Sequence, residues 1–192
     1  HVAPSSIIYS KNKLQVNSFS VSHDNQMLAI NGTATKSEND SLLVTLNDID
    51  VSYVLNLVNF HSVDFLGMAS GEARIAGAFS EKPLLSADVI VKDFKFETGR
   101  MGTLYANVGY NHEEGNIEIN AVAKDEDNRW TDINGYVSPK HNYIDLAIDA
   151  HRTRAEFMES FCGSFMDNVN ADINGNVNVV GPLNNINLVG KA

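Results

Sequence analysis

The chain has little of what enzymes, metal proteins and membrane-spanning helices usually carry. Its 192 residues include one cysteine, Cys162, so no disulfide can form within the chain. No run of about 18 apolar residues occurs, which excludes a helix that spans a bilayer. Lys and Arg number 14 against 24 Asp and Glu, a net charge of −10. That balance argues against nucleic acid or an anionic membrane surface as the main partner.

Residues that could carry chemistry are scattered. The six histidines form no His-x-His or His-x-x-x-His pair, so a zinc site has no local support. Cys162 has no base placed beside it and is better interpreted as a buried or half-buried residue at a helix end. "KDEDNRW" (124–130) lacks the ligand spacing of a calcium loop and predicts a solvated hairpin turn. "GEARIAG" (71–77) lacks the glycine spacing and Lys-Ser/Thr of a phosphate loop. We expect no enzyme, cofactor or metal.

What the sequence does contain is alternation of apolar and polar residues, which is typical of half-buried strands. "NIEINAVA" (116–123) places Ile117 and Ile119 on one face and Glu118 and Asn120 on the other, and similar runs follow one another along the chain. Asn, Ser, Asp and Thr fill the polar phase. One face of the sheet is therefore expected to be wet, which suits a mainly β, antiparallel-rich fold.

Two stretches, near 51–59 and 153–161, have apolar residues at helical spacing and predict short helices. Thr153 is predicted to cap the second helix, and Gly163 to follow its last turn. The residues at helical spacing are Tyr53, Val54 and Leu57 in the first stretch, and Phe157, Met158 and Phe161 in the second.

A repeated motif predicts the organisation of the chain. "DNQMLAING" and "DNRWTDING" start 103 residues apart, at 24 and 127, and share five of nine positions. Glycine-bounded strands at 71–77 and 175–181 extend the match. We interpret Asp-Asn as a hairpin turn and Asn-Gly as the end of the following strand. The chain is thus predicted to hold two repeats of about 100 residues, 1–94 and 95–192, each with one short helix.

The join between the repeats distinguishes two architectures. Tandem β-sandwich domains of the immunoglobulin type would need a linker, yet residues 91–102 show strand character and no Pro/Gly/Ser-rich stretch. That favours one continuous sheet that grows by repeats. "HVAPSS" at the start resembles a cut end, and "INLVGKA" at the other end stops within a strand pattern. We therefore expect the chain to be part of a longer protein.

Four stretches resemble the TamB family, the AsmA-like proteins of the translocation and assembly module. They are "LLVTLNDIDVSYVLNLV" (42–58), "GMASGEARIAGAFSEKPLLSADVIVKDFKF" (67–96), "GTLYANVGYNHEEGNIEINA" (102–121) and "ADINGNVNVVGPLNNINLVGKA" (171–192). The resemblance implies a periplasmic protein of a Gram-negative bacterium, anchored in the inner membrane. Its sheet would fold into a U-shaped β-taco with a hydrophobic groove. The family is implicated in phospholipid transport to the outer membrane and in outer-membrane protein assembly with a β-barrel partner.

The apolar phase of the strands supplies the predicted groove, where phospholipid acyl chains would gain about 0.8 kcal/mol per buried CH₂. The two helices are predicted to cover it locally. The alternative role for each of these residues is plain packing in a protein core. The alternative function for the chain is that of a tandem β-sandwich adhesin or carbohydrate-binding surface module. The predicted groove residues are Val16, Leu28, Ile30, Val44, Leu46, Ile75, Val89, Val91, Leu104, Val108, Ile117, Ile119, Ile133, Val137, Ile144, Leu146, Ile148, Ile173, Val177, Val179, Ile186 and Leu188.

Overall fold

A computed structural model describes residues 6–53, 64–126, 128–162 and 169–191. These residues are mainly β, as predicted. They form twelve strands: β1 (Ser6–Ser10), β2 (Lys13–His23), β3 (Gln26–Ala34), β4 (Ser41–Asp50), β5 (Phe65–Ala76), β6 (Leu84–Phe96), β7 (Gly99–Asn111), β8 (Asn116–Glu126), β9 (Arg129–Ser138), β10 (Tyr143–Arg154), β11 (Asp172–Pro182) and β12 (Asn187–Lys191).

All described strands belong to one antiparallel sheet, in the spatial order β1 to β12. Each strand is hydrogen-bonded to its neighbours in sequence, so the connections are hairpins and short loops. Within the described residues β1 pairs only with β2 and β12 only with β11, which leaves the sheet open at both edges. The consecutive order contains no Greek-key crossover of the kind that joins the two sheets of an immunoglobulin-type sandwich.

Pairing register shows how the alternation is used, because directly opposed residues of an antiparallel sheet point to the same face. Two rows cross the sheet from β2 to β12 and hold only apolar residues and glycine. We call them the inner rows. The first is Val21, Leu28, Leu46, Gly71, Val89, Ala106, Ala121, Ile133, Ile148, Val177 and Gly190. The second is Phe19, Ile30, Val44, Ala73, Ala87, Val108, Ile119, Gly135, Leu146, Val179 and Leu188.

The row between them faces the other way and is mostly polar. Charged or amide residues occupy it on five consecutive strands, β5 to β9, and again on β11. This wet face explains why so much Asn and Asp is compatible with long strands. The outer row is Ser20, Ala29, Thr45, Glu72, Asp88, Asn107, Asn120, Asn134, Ala147, Asn178 and Val189.

The sheet bends so that its apolar face lies on the inside. Phe96 of β6 packs against the buried cluster that contains Leu146 of β10 and Val179 of β11. In a flat sheet β6 and β10 would lie four strand spacings apart, roughly 19 Å. Contact across that interval requires strong curvature, which encloses the apolar face between β5–β6 and β9–β11.

Register breaks supply part of this curvature. Each even-numbered strand from β2 to β10 contains one, and in β2, β4, β6 and β10 the extra residue is left-handed. Ser18, Asp48, Asp93 and Arg152 have φ values of 54°, 48°, 51° and 53°. Such bulges bend a strand and increase its twist. In β4, β6, β8 and β10 the break follows the first inner row. In β2 it precedes Phe19 of the second inner row and so lies towards the opposite ends of the strands.

Three of the bulges are held by a side chain on the next strand. The N–H of Ser18 donates to Oδ1 of Asn31 at 3.3 Å, and the N–H of Arg152 donates to Oδ1 of Asn174 at 2.9 Å. On β4 the N–H of Asp48 donates to Oγ of Ser70 at 2.9 Å. Each acceptor directly precedes a glycine with positive φ. The Asn-Gly and Ser-Gly pairs are therefore bulge partners.

The prediction that a strand ends at each repeated Asn-Gly is wrong, because β3 and β9 both continue past it. Gly32 and Gly135 have φ values of 118° and 148°. A Cβ at Gly32 would lie 2.2 Å from the carbonyl oxygen of Ser41, and one at Gly135 would lie 2.1 Å from that of Asp145. These glycines are needed where the next strand approaches closely. The preceding Asp-Asn was predicted as a turn; at 24–25 it is one.

The second predicted helix begins later than expected. Strand β10 continues through Thr153, and a 3₁₀ turn (Ala155–Phe157) then leads into helix α1 (Met158–Cys162). Thr153 does not cap it: its hydroxyl lies 2.6 Å from that of Thr131 on β9. Cys162 is the last described helical residue, and Gly163 lies outside the described residues. Of the first predicted helix, residues 51–53 are helical, whereas Val54 and Leu57 lie outside the described residues.

Candidate apolar groove

The predicted groove residues all fall within the described chain, and their exposure varies. Val16, Val91, Ile144, Leu146 and Val179 are buried, and Leu188 is 41% exposed. The remainder are partly buried: Leu28, Ile30, Val44, Leu46, Ile75, Val89, Leu104, Val108, Ile117, Ile119, Ile133, Val137, Ile148, Ile173, Val177 and Ile186.

Among the described residues, a buried cluster covers the apolar face on β2–β4 near one end of these strands. Val16, Ala34 and Leu42 form a buried cluster there, and Phe79 from the β5–β6 connection packs against it. Further along the same strands, Leu28, Val44 and Leu46 keep part of their surface. This half of the face offers apolar contact area that the described residues do not cover completely.

Between β5–β6 and β9–β11 the same face encloses a cavity of about 90 Å³. Its two hydroxyl-bearing residues, Thr131 and Thr153, bond each other at 2.6 Å, and the Thr153 hydroxyl donates to the carbonyl oxygen of Trp130 at 3.3 Å. Both hydroxyl donors are therefore used, with Thr131 donating to Thr153. Apolar cavities of this kind stay dry. The lining is Phe65, Phe94, Phe96, Met101, Thr131, Ile133, Ile144, Leu146, Ile148, Ala150, Thr153, Phe157, Ile173, Val177, Val179 and Leu188.

Four phenylalanines close one end of this cavity. The ring centroid of Phe65 lies 6.1 Å from that of Phe94 and 5.3 Å from that of Phe96, and Phe96 is 5.6 Å from Phe157. Such separations are those of favourable aromatic pairs. Phe157 thus lies on the inner face. The neighbouring Met158 is partly buried, whereas Tyr53 is 59% exposed.

The 3₁₀ turn rests directly on the backbone of β7. A Cβ at Gly99 would lie 2.6 Å from the backbone nitrogen of Phe157 and 2.7 Å from its Cβ. Glycine at this position therefore allows Phe157 to reach the cavity. We call this contact the Gly99 seat.

Beside the seat, Asp125 of β8 binds two arginines that the sequence analysis did not connect with it. Its carboxylate lies 2.6 Å from Nη2 of Arg100 and 2.6 Å from Nε of Arg154, and its side chain is only 6% exposed. Burial acts to raise the pKa of Asp125, but the hydrogen bonds from Arg154 and Arg100 outweigh it and leave that pKa below its usual value. The interpretation of 124–130 as a solvated turn is wrong for Asp125.

The ion pairs continue across the neighbouring strands. Arg129 of β9 lies 3.3 Å from Glu126 and 3.0 Å from Asp172 of β11, and Arg152 lies 3.1 Å from Asp172. Hydrogen bonds from Arg129 and Arg152 overcome the desolvation of Asp172 and lower its pKa. Four of the five arginines of the chain lie in this network. The concentration of arginine between residues 100 and 154 was the feature of the sequence that could have indicated it.

Other chemistry is sparse in the part of the chain that the structure describes. No group of three or more His, Cys, Asp and Glu side chains there could hold a metal ion. No helix among the described residues is long and apolar enough to cross a membrane. His151 stacks on Trp130 at 4.6 Å and lies 3.6 Å from both Asp132 and Asp149.

No protein family, curated protein or solved structure matches the chain.

Proposed function

We propose that this chain is a segment of a TamB-like β-taco in the periplasm of a Gram-negative bacterium, and that its groove shields acyl chains during transfer. That role would contribute to phospholipid transport to the outer membrane, to outer-membrane protein assembly, or to both. The observation that carries the proposal is the pair of inner rows, apolar from β2 to β12 on the face that bends inward.

The energetics of such a groove require no polar site. Each buried CH₂ contributes about 0.8 kcal/mol, so ten methylenes laid along the inner rows would gain ~8 kcal/mol before the ordering of the chain is counted. Partly exposed residues such as Leu28, Val44 and Leu46 supply contact area for this purpose. The polar headgroup would remain at the open side in water.

A recurring order of elements supports two stacked repeats, 1–94 and 95–192. Strands β2 to β5, with helical residues 51–53 before β5, correspond to β8 to β11, with α1 before β11. Glycines at matching places share positive φ: Gly32 and Gly135 at 118° and 148°, and Gly71 and Gly175 at 158° and 154°. A sheet that repeats in this way can extend a groove along its length.

The remaining features of the proposal come from the family resemblance. The full-length protein would be anchored in the inner membrane and would contact a β-barrel assembly protein through regions outside this chain. Phospholipid acyl chains are the partner assigned to the residues described. The acidic balance of the chain agrees with a partner other than nucleic acid.

One observation favours a second candidate, a carbohydrate-binding surface module. The outer face contains a shallow depression of about 660 Å³. Tyr105, 46% exposed, lies in it beside the directly paired amides of Asn107, Asn120 and Asn134. An aromatic ring next to amide donors and acceptors can bind a sugar. This site would lie on the face opposite the inner rows.

Photo-crosslinking from both faces tests the proposal. A benzophenone side chain placed at Ile119 faces the apolar side, whereas one at the adjacent Glu118 faces water. After incubation with phosphatidylethanolamine vesicles, we expect lipid adducts from position 119 and few from 118. Equal labelling, or adducts from neither position, would contradict the groove. Adducts with an oligosaccharide from position 118 would favour the second candidate.

A further inference from the structure

We infer that the side chain of Phe157 occupies a closed subsite between β5–β6 and β9–β11, and that an alkyl chain binds there when Phe157 is displaced. This inference rests on the proposed function. It identifies the place where an acyl chain must compete with the Phe157 ring for the same space. It concerns the cavity that Phe157 and the Phe65–Phe94–Phe96 cluster line, not the more open face on β2–β4.

The cavity has the chemistry of an alkyl site but not the size. It contains no unpaired hydroxyl, and a volume of about 90 Å³ is smaller than the ~150 Å³ that holds a benzene molecule in an apolar cavity. An extended acyl chain therefore does not fit while the Phe157 ring is in place. Removing that ring would join its volume to the cavity and leave an apolar space between the two walls.

The segment that carries Phe157 is bonded firmly to residues 169–171, because the N–H of Ala155 donates to the carbonyl oxygen of Ala171 at 2.9 Å and the N–H of Val169 donates to the Glu159 carboxylate. Its hydrogen bonds to residues 98–100, by contrast, are long and exposed. The Thr98 hydroxyl donates to the carbonyl oxygen of Glu156 at 3.4 Å and lies 3.3 Å from the Ser160 hydroxyl. The N–H of Arg100 donates to Oε2 of Glu156 at 3.3 Å. Hydrogen bonds of this length and exposure are weak. The helical segment is also short and has no side-chain cap at its N-terminus, so it contributes little stability of its own.

The residue just before the segment is held much more firmly. Arg154 binds the nearly buried Asp125 at 2.6 Å, and Thr153 is buried between β9 and β11. At the Gly99 seat, by contrast, the 3₁₀ turn rests on a residue that has no side chain to interlock with it. Phe157 can therefore leave the cavity while Arg154 stays fixed, once the weak bonds from Thr98 and Arg100 to Glu156 are broken.

Because the Phe157 ring and an alkyl chain bind in the same space, the protein itself lowers the affinity of this subsite. An alkyl chain that enters replaces the ring contacts of Phe157 with its own, and the apparent affinity is reduced by the fraction of molecules in which the ring is already displaced. A substitution that removes the ring should raise affinity at this subsite, and a bond that fixes the segment should lower it.

A disulfide lock tests this exchange in the 192-residue chain. Thr98→Cys and Ser160→Cys replace the two neighbouring hydroxyls, in a Cys162→Ser background that removes the native thiol. The probe is diazirine-labelled palmitate, and labelled peptides are identified by mass spectrometry. We expect oxidation to reduce labelling of β10 (143–154) by about tenfold, with labelling of β4 (41–50) unchanged. Reductant should restore β10 labelling in the same sample, which excludes a folding defect.

Phe157→Ala, without the lock, should increase β10 labelling relative to the unsubstituted chain. Unchanged β10 labelling on oxidation, or a Phe157→Ala variant with no gain, would overturn the inference while β4 labelling still supports a groove. Labelling of β4 but never of β10 would show that the cavity is plain core packing. Absence of labelling from both strands in every variant would overturn the proposed function together with the inference.

Discussion

Arg154 and Asp125 are joined by a 2.6 Å hydrogen bond between Nε and Oδ2, at the point where β10 leaves the sheet. Arg100 of β7 binds the other oxygen of the same carboxylate through its Nε at 2.7 Å. One buried carboxylate on β8 thus ties its neighbour β7 to β10, which lies beyond β9 on the other side. This contact fixes the base of the segment that carries Phe157.

Replacing Asp125 with Asn should destabilise the fold. Breaking a buried ion pair costs ~3–5 kcal/mol, but Arg100 is 57% exposed, so we expect a loss of about 2 kcal/mol in the free energy of unfolding. Urea denaturation measures it. Asp24→Asn is the control, because Asp24 is 86% exposed in a turn and should change stability little. Equal stability of the two variants would contradict a structural role for Asp125.

Stability should also decline in acid with a predictable sign. The pKa values of Asp125 and Asp172 are lowered in the folded state from an ordinary 3.8. The stability that these carboxylates contribute is therefore present above pH 3.8 and is lost as the pH falls through their folded pKa values. Urea titrations at falling pH should show the unsubstituted chain approaching the stability of Asp125→Asn. A gap that stays constant down to the lowest pH would contradict this assignment.

The strand glycines give a prediction with an internal control. Gly135→Ala should cost about 2–4 kcal/mol, because the new Cβ would lie 2.1 Å from a carbonyl oxygen and the backbone has a φ of 148°. Gly109 also lies in a strand, but its nearest neighbour to a Cβ is 4.0 Å away. Gly109→Ala should be neutral or stabilising. Thermal unfolding of both variants decides whether close strand approach explains the repeated glycine.

Core and groove residues should respond differently to truncation. Leu146 is 7% exposed, so Leu146→Ala should cost about 2–5 kcal/mol. Leu28 is partly exposed on β3, and Leu28→Ala should cost about 1 kcal/mol or less while reducing acyl-chain labelling nearby. Chemical denaturation and lipid labelling on the same samples separate these effects. A large stability loss at Leu28 with unchanged labelling would identify it as core.

The sequence could predict those features that depend only on neighbouring residues along one strand. The two-residue period that separates Ile119 from Glu118 depends only on neighbours along one strand, so strands and inner faces follow from it. The bulges do not, since the Ser18 amide finds its acceptor on Asn31, in the next strand. Thr153 is a residue type that often caps helices, yet it lies in β10, where its hydroxyl bonds that of Thr131. Asp125 was misread because its arginines lie on other strands.

The glycines show a different limit. Asn-Gly is a strong turn signal, and nothing within "ING" distinguishes a turn from a strand position that the next strand approaches closely. The distinction depends on Ser41, whose carbonyl oxygen occupies the space beside Gly32. The curvature that encloses the cavity is likewise a property of paired strands, so the packing of Phe96 against the cluster that contains Leu146 had no counterpart in the sequence pattern.

The most direct measurement of the central claim is photo-crosslinking along β4. Benzophenone is placed in turn at residues 44, 45, 46 and 47 of the 192-residue chain, which is then mixed with phosphatidylethanolamine vesicles. Val44 and Leu46 belong to the inner rows, whereas Thr45 belongs to the outer row. The proposal predicts phospholipid adducts that alternate, strong at 44 and 46 and weak at 45 and 47. Adducts of equal strength at all four positions, or none at any, would contradict an acyl-chain groove on this face.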